Sequence, residues 1–343
     1  MKIQKRRSTT QEKSCHFPHW AVIVVLVTLL IRSEFEKRNA ALEDKSRSLT
    51  QSPTCNCPQH EPTTQIAHTS DEKTGFHPVY VYHGPNDSLD SLKTNFKDIR
   101  LHHFGSQVHQ DVIVLAISKE LDSKLGKSND APHFFVDLAA NDAVDLSNTL
   151  RLEEDGGWNG LCIEPNPMYW FRLAHRKCAV AGTFVGGNID GTLVDVTLGN
   201  GHMGGIIGLD NKADQDTHIE KRYTISIKSL FENFGVPSNI DYMSFDVEGA
   251  EALILKDFPF DAYNINIVTV ERPTLEVQGM LRSNGYHFVV MLISFGETLW
   301  VHESVLKILS QEKLVEIVKS NHQITVQKRG MVFSMEKGDY VPA

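Results

Sequence analysis

Cysteine is scarce in this chain of 343 residues: there are five, and none has the spacing of a zinc finger or a CxxC redox motif. So few, scattered cysteines exclude a small disulfide-rich scaffold. Cys162 and Cys178 fall on predicted strands, and we interpret both as small apolar residues of the core. Cys55 and Cys57 lie in a polar stretch with prolines, where an oxidising compartment could pair them between two chains in a disulfide-linked dimer.

Positive charge is also limited, since the formal net charge is −9. No stripe of lysine and arginine interleaved with aromatic residues occurs in the predicted folded part, so we expect no nucleic-acid partner. The chain also lacks a GxGxxG turn after its first predicted strand, which argues against a nicotinamide-dependent dehydrogenase.

Long hydrophobic runs are missing except for a short one at residues 20–31, which follows a basic segment. No small-residue cleavage site follows it, so an uncleaved signal anchor is preferred to a removed signal peptide or a buried core helix. A glycosylation sequon at Asn86 favours a lumenal C-terminal part. We therefore predict a single-pass type II membrane protein of the endoplasmic reticulum or Golgi, with a basic cytosolic tail (1–16) and an anchor (17–31).

The remaining chain divides by composition into a stem, a lead-in and a main domain. Residues 32–75 are polar and lack apolar periodicity, as in a flexible stem. Residues 76–132 are predicted to hold a short strand at 79–82 and a helix at 108–125. From residue 133 to residue 343, strands and helices alternate, which is typical of an α/β domain with a mostly parallel sheet.

We predict the following elements in the main domain. The strands span 133–138, 160–164, 178–185, 240–246 and 265–271; helices span 143–154, 167–177 and 250–256; a further helix is capped by Ser229, and another ends at Gly285. Residues 188–219 are interpreted as an insertion or lid with short β segments at 192–198 and 205–209. An antiparallel hairpin of residues 286–295 and 298–303 is expected at a sheet edge.

Acidic residues follow three of the predicted strands, and open α/β sheets bind ligands at these carboxyl ends. Asp137 ends the first strand and precedes a loop of small residues, through which the backbone could approach a cofactor. Glu164 ends the second strand, where an acid can accept hydrogen bonds from ribose hydroxyls; its alternative interpretation is an ordinary loop carboxylate. Asp246 and Glu248 flank the end of the fourth strand, where they could orient or deprotonate a substrate hydroxyl or hold a cation. Their alternative is helix capping.

Three stretches together resemble the signature blocks of the FkbM-type methyltransferase family. They are FVDLAANDA at 135–143, WNGLCIEPNP at 158–167 and IDYMSFDVEGAE at 240–251. The segment from Ser106 to Asp111 and the sequence TVERP at 269–273 are similar to further family segments, so the resemblance runs from about residue 106 to 290.

The resemblance implies a Rossmann-like seven-stranded methyltransferase sheet, S-adenosylmethionine as cofactor, no metal ion, and O-methylation of a hydroxyl on a glycan or small molecule. It implies that Asp246 and Glu248 act in catalysis, and that the cofactor is bound by Asp137, Ala139, Asn141, Asp142, Glu164, Asn166 and Asp246.

The sequence departs from the family at Ala139 and Ala143, where glycine is common. We expect a backbone φ below zero at both alanines, which would leave room for the cofactor. The alternative is a catalytically inactive, Star-like trafficking adaptor with an FkbM-like domain. A third class, an anchored glycosyltransferase, would use Asp214 and Asp216 as a metal motif, but no hydrophobic strand precedes them, and a solvated loop is the preferred interpretation.

Overall fold

The computed structural model describes residues 105–128, 131–198, 204–209, 218–322 and 331–342. The predicted anchor, stem and strand at 79–82 lie outside these residues, as do Asn86, Cys55, Cys57 and the Asp214–Asp216 motif. Among the described residues, no helix is both long and apolar enough to cross a membrane.

A seven-stranded sheet forms the centre of the domain. Its strands are β1 (Phe134–Leu138), β2 (Asn159–Ile163), β3 (Ala179–Ala181), β8 (Asn239–Phe245), β9 (Asn264–Glu271), β10 (Tyr286–Met291) and β11 (Glu297–His302). Their order across the sheet is β3-β2-β1-β8-β9-β11-β10. β11 is the one strand of this sheet that runs opposite to the others, so it pairs antiparallel with β9 and with β10. The predicted mostly parallel sheet with an antiparallel hairpin at its edge, formed by β10 and β11, is confirmed.

Helices cover both faces of this sheet, because its central strands are apolar on both sides. On one face Phe135 packs with α1 (Gln110–Leu125), α2 (Leu150–Glu154), α3 (Pro167–Leu173) and α8 (Gln311–Asn321). On the other face Val136 and Leu138 pack with α4 (Ile227–Phe234), α5 (Glu251–Lys256) and α6 (Leu275–Ser283). The short α7 (Glu303–Leu306) follows β11.

The predicted third strand at 178–185 is wrong as a single strand. It is divided into β3 and β4 (Phe184–Val185), which belong to different sheets. The break falls at Gly182, where a Cβ would lie 2.4 Å from the Trp170 ring. β4 joins β5 (Thr192–Thr197), β6 (Gly205–Ile206) and β7 (Glu220–Ile225) in a second sheet of order β4-β7-β5-β6. The β segments predicted in the insertion are therefore confirmed, although β7 was not anticipated.

Two predictions about helix starts are also wrong. The helix predicted over 143–154 forms only from Leu150, because the Asp142 carboxylate accepts hydrogen bonds from the Val144 and Asp145 N–H groups and holds a loop. Such bonds compete with the helix. Leu146 also has a left-handed φ of 57°. For α4, the capping residue is Ser226, whose hydroxyl accepts a hydrogen bond from the Ser229 N–H.

The interpretation of Cys162 and Cys178 as core residues is confirmed by their burial, but the two are not separate thiols, because they form a disulfide. Cys162 lies on β2, and Cys178 immediately precedes β3, which pairs with β2 through Leu161 and Ala179. The two Cα atoms are therefore only 5.9 Å apart, within the range that a disulfide spans. Both residues are buried.

The last described residues form a separate antiparallel hairpin of β12 (Met331–Ser334) and β13 (Asp339–Pro342). This C-terminal hairpin was not predicted. It is fixed to the domain by the Phe333 N–H, which donates to the Ser294 carbonyl at 2.8 Å.

Candidate functional site

A cavity of about 330 Å³ lies at the carboxyl ends of β1, β2, β8 and β9. The strand order reverses between β1 and β8, and open α/β sheets bind ligands at such a switch point. The predicted site residues that line the cavity are Asp137, Ala139, Asn141, Glu164, Asn166, Asp246 and Glu248. Asp142 is absent from the lining.

The loop after β1 has a left-handed backbone at Ala139 (φ 59°) and Asn141 (φ 54°). The expectation of a φ below zero is therefore wrong for Ala139, whereas Ala143 keeps a negative φ and is fully buried. The conformation is held by the neighbouring strand, because the Ala140 N–H donates to the Ile163 carbonyl at 2.9 Å. Ala139 thus lines the cavity on a strained loop.

Glu164 connects this loop to the next one. Its Oε2 accepts a hydrogen bond from the Asn141 N–H and its Oε1 accepts one from the Asn166 N–H, both at 2.7 Å. The residue is 4% exposed, and burial raises the pKa of its carboxyl to about 7. Each carboxylate oxygen can accept a further hydrogen bond, so Glu164 can still bind ligand hydroxyls while it shapes both loops.

Asp137 belongs to a buried polar network on the side of the sheet that carries α2. Its Oδ2 accepts a hydrogen bond from the Thr149 hydroxyl at 2.6 Å, and Thr149 also accepts one from Arg176. Burial raises the pKa of Asp137 to about 6. Arg176 pairs with Glu153 at 2.9 Å. Asp137 therefore fixes the end of β1 beneath the cavity.

Asp142 and Asn166 hold backbone next to the cavity. Asp142 accepts hydrogen bonds from the following loop and from Arg172 at 2.9 Å, which explains why it is turned away from the cavity. Asn166 caps α3 by accepting a hydrogen bond from the Met168 N–H. Its amide also donates to the Leu198 carbonyl at 3.3 Å, which joins the two sheets at the cavity.

Three carboxylates meet at the ends of β8 and β9: oxygens of Asp246, Glu248 and Glu271 lie within 4.8 Å of one another. Arg272 neutralises part of this charge through ion pairs with Glu248, at 3.0 Å, and with Glu271. Burial raises the pKa of Asp246 well above its usual value, and the neighbouring acids, chiefly Glu271, raise it further. The carboxylate of Asp246 therefore binds a proton more tightly than that of an exposed aspartate.

The structure does not show the helix capping that was the alternative interpretation of Asp246 and Glu248. The Val247 and Gly249 N–H groups donate to Oε1 of Glu251 at 3.3 and 3.4 Å. Glu248 is ion-paired with Arg272 and has a left-handed φ of 50°. Strained backbone of this kind is concentrated at functional sites.

Sequence reasoning missed several residues of the cavity wall. Tyr169 follows Pro167 on α3, and Arg272 belongs to the TVERP segment, so both were near recognised motifs. Phe295 and Tyr340 come from loops and strands near the C-terminus, where no motif marked them.

The comparison with known families agrees with this geometry. Residues 137–288 match the family model described as methyltransferase FkbM domain. The match begins at Asp137 on β1 and ends within β10, so it contains the three strand ends that carry the acids. No curated protein matches the chain. Over residues 137–288, the chain is therefore similar to the methyltransferase domain of the FkbM family.

Proposed function

We propose that this domain is an S-adenosylmethionine-dependent methyltransferase that methylates a hydroxyl of a glycan or small molecule. The observation that carries the proposal is the arrangement of the cavity at the switch point of the sheet. Glu164 lies at the end of β2, and Asp246 lies two strands away at the end of β8. Adjacent strands are about 4.8 Å apart, so the two strand ends that carry these acids lie roughly 10 Å from each other.

The residues present fit the cofactor. Oδ1 of Asn141 is buried and has no hydrogen-bond partner among the described residues, so it offers an acceptor to an ammonium or hydroxyl group of a ligand. Glu164 would hold the ribose hydroxyls, and Asp137 would support the loop around the methionine part. When bound, S-adenosylmethionine supplies an electrophilic methyl group on a sulfonium ion.

Asp246 would act as the base. Its carboxylate lines the cavity and receives the proton of the acceptor hydroxyl, so that the acceptor oxygen becomes nucleophilic. The nearby acids raise the pKa of Asp246, so its ionised carboxylate is a stronger base than that of an exposed aspartate. Glu248, held by Arg272, would orient the acceptor.

A lumenal location is part of the proposal. The Cys162–Cys178 disulfide supports it, because disulfides persist in the oxidising secretory compartments and are rare in the cytosol. A type II signal anchor at 17–31, in the endoplasmic reticulum or Golgi, would place the domain there. The test is alkaline extraction and endoglycosidase treatment of the full chain in eukaryotic cells: we expect a membrane-retained product that loses mass, and an extractable, unglycosylated product would refute this topology.

One observation favours the inactive adaptor as a second candidate. Ala139 belongs to the cavity wall and has a left-handed backbone, and it adds a methyl group at a position where glycine is common in the family. Binding of S-adenosylmethionine that appears only in Ala139→Gly would favour the adaptor over the enzyme.

The decisive experiment is calorimetric titration of the purified full chain with S-adenosylmethionine, combined with assays of methyl transfer. Glu164→Gln is expected to weaken binding by about 1.5–3 kcal/mol, the range for hydrogen bonds to a charged group. Asp246→Asn should retain binding and lose turnover. Asp195→Asn is the matched control, because Asp195 is exposed on the second sheet and pairs only with Lys221 in the described structure. Equal losses of binding in the Glu164 and Asp246 variants would contradict the assigned roles.

A further inference from the structure

Three residues of the cavity wall lie outside the family match: Gln107, Phe295 and Tyr340, of which Tyr340 belongs to the hairpin of β12 and β13. Residues 137–288 contain the strand ends with the acids, whereas Phe295 and Tyr340 lie C-terminal to that range and line the cavity. Both are aromatic. We propose that the C-terminal hairpin forms the acceptor wall of the cavity and that Tyr340 selects a neutral sugar as the methyl acceptor. This inference rests on the proposed methyltransferase function.

Tyr340 is held in position on this wall. Its hydroxyl donates a hydrogen bond to the Phe295 carbonyl at 3.0 Å. Its ring packs edge-on against Phe333, with ring centres 5.9 Å apart. Phe333 is 4% exposed, whereas Tyr340 is 38% exposed. One part of the Tyr340 ring is thus anchored, and the remainder is accessible to a ligand.

The hairpin is docked tightly on the domain next to the acidic corner. Its turn includes Gly338, where a Cβ would lie 2.5 Å from the Leu275 nitrogen at the start of α6. Gln278 donates to the Met335 carbonyl at 2.9 Å. On the opposite side of the wall, the Arg272 N–H donates to the Gly296 carbonyl at 2.9 Å. Arg272 therefore connects the aromatic wall to Glu248 and Glu271.

The charges around the cavity narrow the class of acceptor. In the described part of the wall, five carboxyl groups face one guanidinium, that of Arg272; the acids are Asp137, Glu164, Asp246, Glu248 and Glu271. An anionic acceptor would be repelled by this excess of acids. At the ends of β8 and β9, Arg272 already occupies the position between Glu248 and Glu271, and its charge would repel a cationic group there.

A neutral sugar ring, which carries several hydroxyl groups, fits both the acidic part and the aromatic part of the cavity wall. Its hydroxyl groups can donate hydrogen bonds to the carboxylates, and its apolar face can pack on the exposed ring of Tyr340, as aromatic side chains with a polar tip commonly do at binding sites. The hydroxyl nearest Asp246 would lose its proton to that carboxylate as its oxygen takes the methyl group from the sulfonium.

The test uses the full chain, tritiated S-adenosylmethionine and three probes: methyl galactoside as the neutral sugar, galacturonic acid as the anion and galactosamine as the cation. The wild type should methylate the neutral probe best. Tyr340→Ala should raise the KM for this probe about tenfold, the loss expected for one aromatic contact. The Kd for S-adenosylmethionine should change less than twofold, and Tyr340→Phe, which keeps the ring but loses the bond to the Phe295 carbonyl, should raise the KM less than Tyr340→Ala does.

A second variant displaces the hairpin without replacing a residue of the cavity wall, and it is paired with a control variant. Gly338→Ala places a Cβ against the Leu275 backbone and should raise the KM in the same way. Gly126→Ala is the matched control, because Gly126 has a similar φ of 65° with nothing within 4 Å of an added Cβ. Preference for a charged probe, transfer to none of the sugars, or equal KM values in Tyr340→Ala and the wild type would overturn the inference. If the wild type did not bind S-adenosylmethionine, that result would instead refute the proposed methyltransferase function.

Discussion

Replacement of Ala139 by glycine should make the protein more stable, although the substitution removes a methyl group. Ala139 has a φ of 59°, and a residue with a Cβ in the left-handed region costs about 1–2 kcal/mol. Glycine removes this cost but adds about 0.4–1 kcal/mol of conformational entropy to the unfolded chain. The net expectation is an increase of about 0.5–1 kcal/mol in the free energy of unfolding.

Ala143 provides the matched control four residues along the same loop. It has a negative φ, and its side chain is fully buried against Val144 and Leu150. Ala143→Gly therefore relieves no strain, loses about 0.8 kcal/mol of apolar burial and gains unfolded-state entropy. It should lower the free energy of unfolding by about 1–2 kcal/mol.

The measurement is urea unfolding of both variants and the wild type, supported by thermal melts. A change of 1 kcal/mol corresponds to a shift of about 2–4 °C in Tm for a domain of this size. The two variants should shift Tm in opposite directions. A decrease in both would show that the left-handed conformation of Ala139 carries no strain, and the argument from backbone geometry would then be refuted.

Four further predictions concern charge, pH and the disulfide. Because the folded pKa of Asp246 is raised, stability falls as the pH rises above the unfolded value of 3.8; Asp246→Asn should therefore unfold at higher urea than the wild type at pH 8, and a lower midpoint would contradict this. The folded pKa of Glu164 is about 7, so the affinity for S-adenosylmethionine measured by calorimetry should increase from pH 6 to pH 8; an affinity that is constant over this range would show that the ionised carboxylate is not used. Hydrogen bonding with Asp241 raises the pKa of His133 above 6.5. The protonated imidazole therefore stabilises the folded state fully below pH 6.5, and this stabilisation is lost as the pH rises through the folded pKa. The corresponding pH dependence of the free energy of unfolding should disappear in His133→Gln. Removal of the Cys162–Cys178 disulfide, which spans 16 residues, by double substitution to alanine should cost about 3 kcal/mol, and free thiols at both positions in the non-reduced wild type would exclude the bond.

Much of the fold was predictable because its main elements are specified locally. The apolar runs that became β1, β2, β8 and β9 are buried on both faces, and such strands are recognisable from their composition. The acids at their ends were also recognisable, because a parallel sheet brings successive strand ends to one edge. Glu164 and Asp246 were found in this way, and both line the cavity.

The errors of the sequence-based predictions arose where side-chain contacts and strand pairing decide the local conformation. The loop at 143–149 has helical periodicity, yet hydrogen bonds to Asp142 hold it open. The strand at 178–185 is continuous in sequence, but it divides where the chain passes Trp170. The Cys162–Cys178 bond depends on the pairing of β2 with β3, which no spacing of two cysteines indicates.

The amino-acid sequence by itself determined the α/β class, the succession of the main strands along the chain and the acids that end three of them. These follow from the apolar pattern of the strands and from the direction in which each strand runs. Only the tertiary structure decided the left-handed φ at Ala139, the second sheet, the pairing of Arg272 with Glu248, and the position of Tyr340 in the cavity wall. The physical reason is that each of these depends on contacts between segments far apart in the chain. The loop of Ala139 is held by hydrogen bonds that its N–H groups donate to the end of β2 and to Glu164. The docking of the hairpin of β12 and β13 on α6 brings Tyr340 to Phe295.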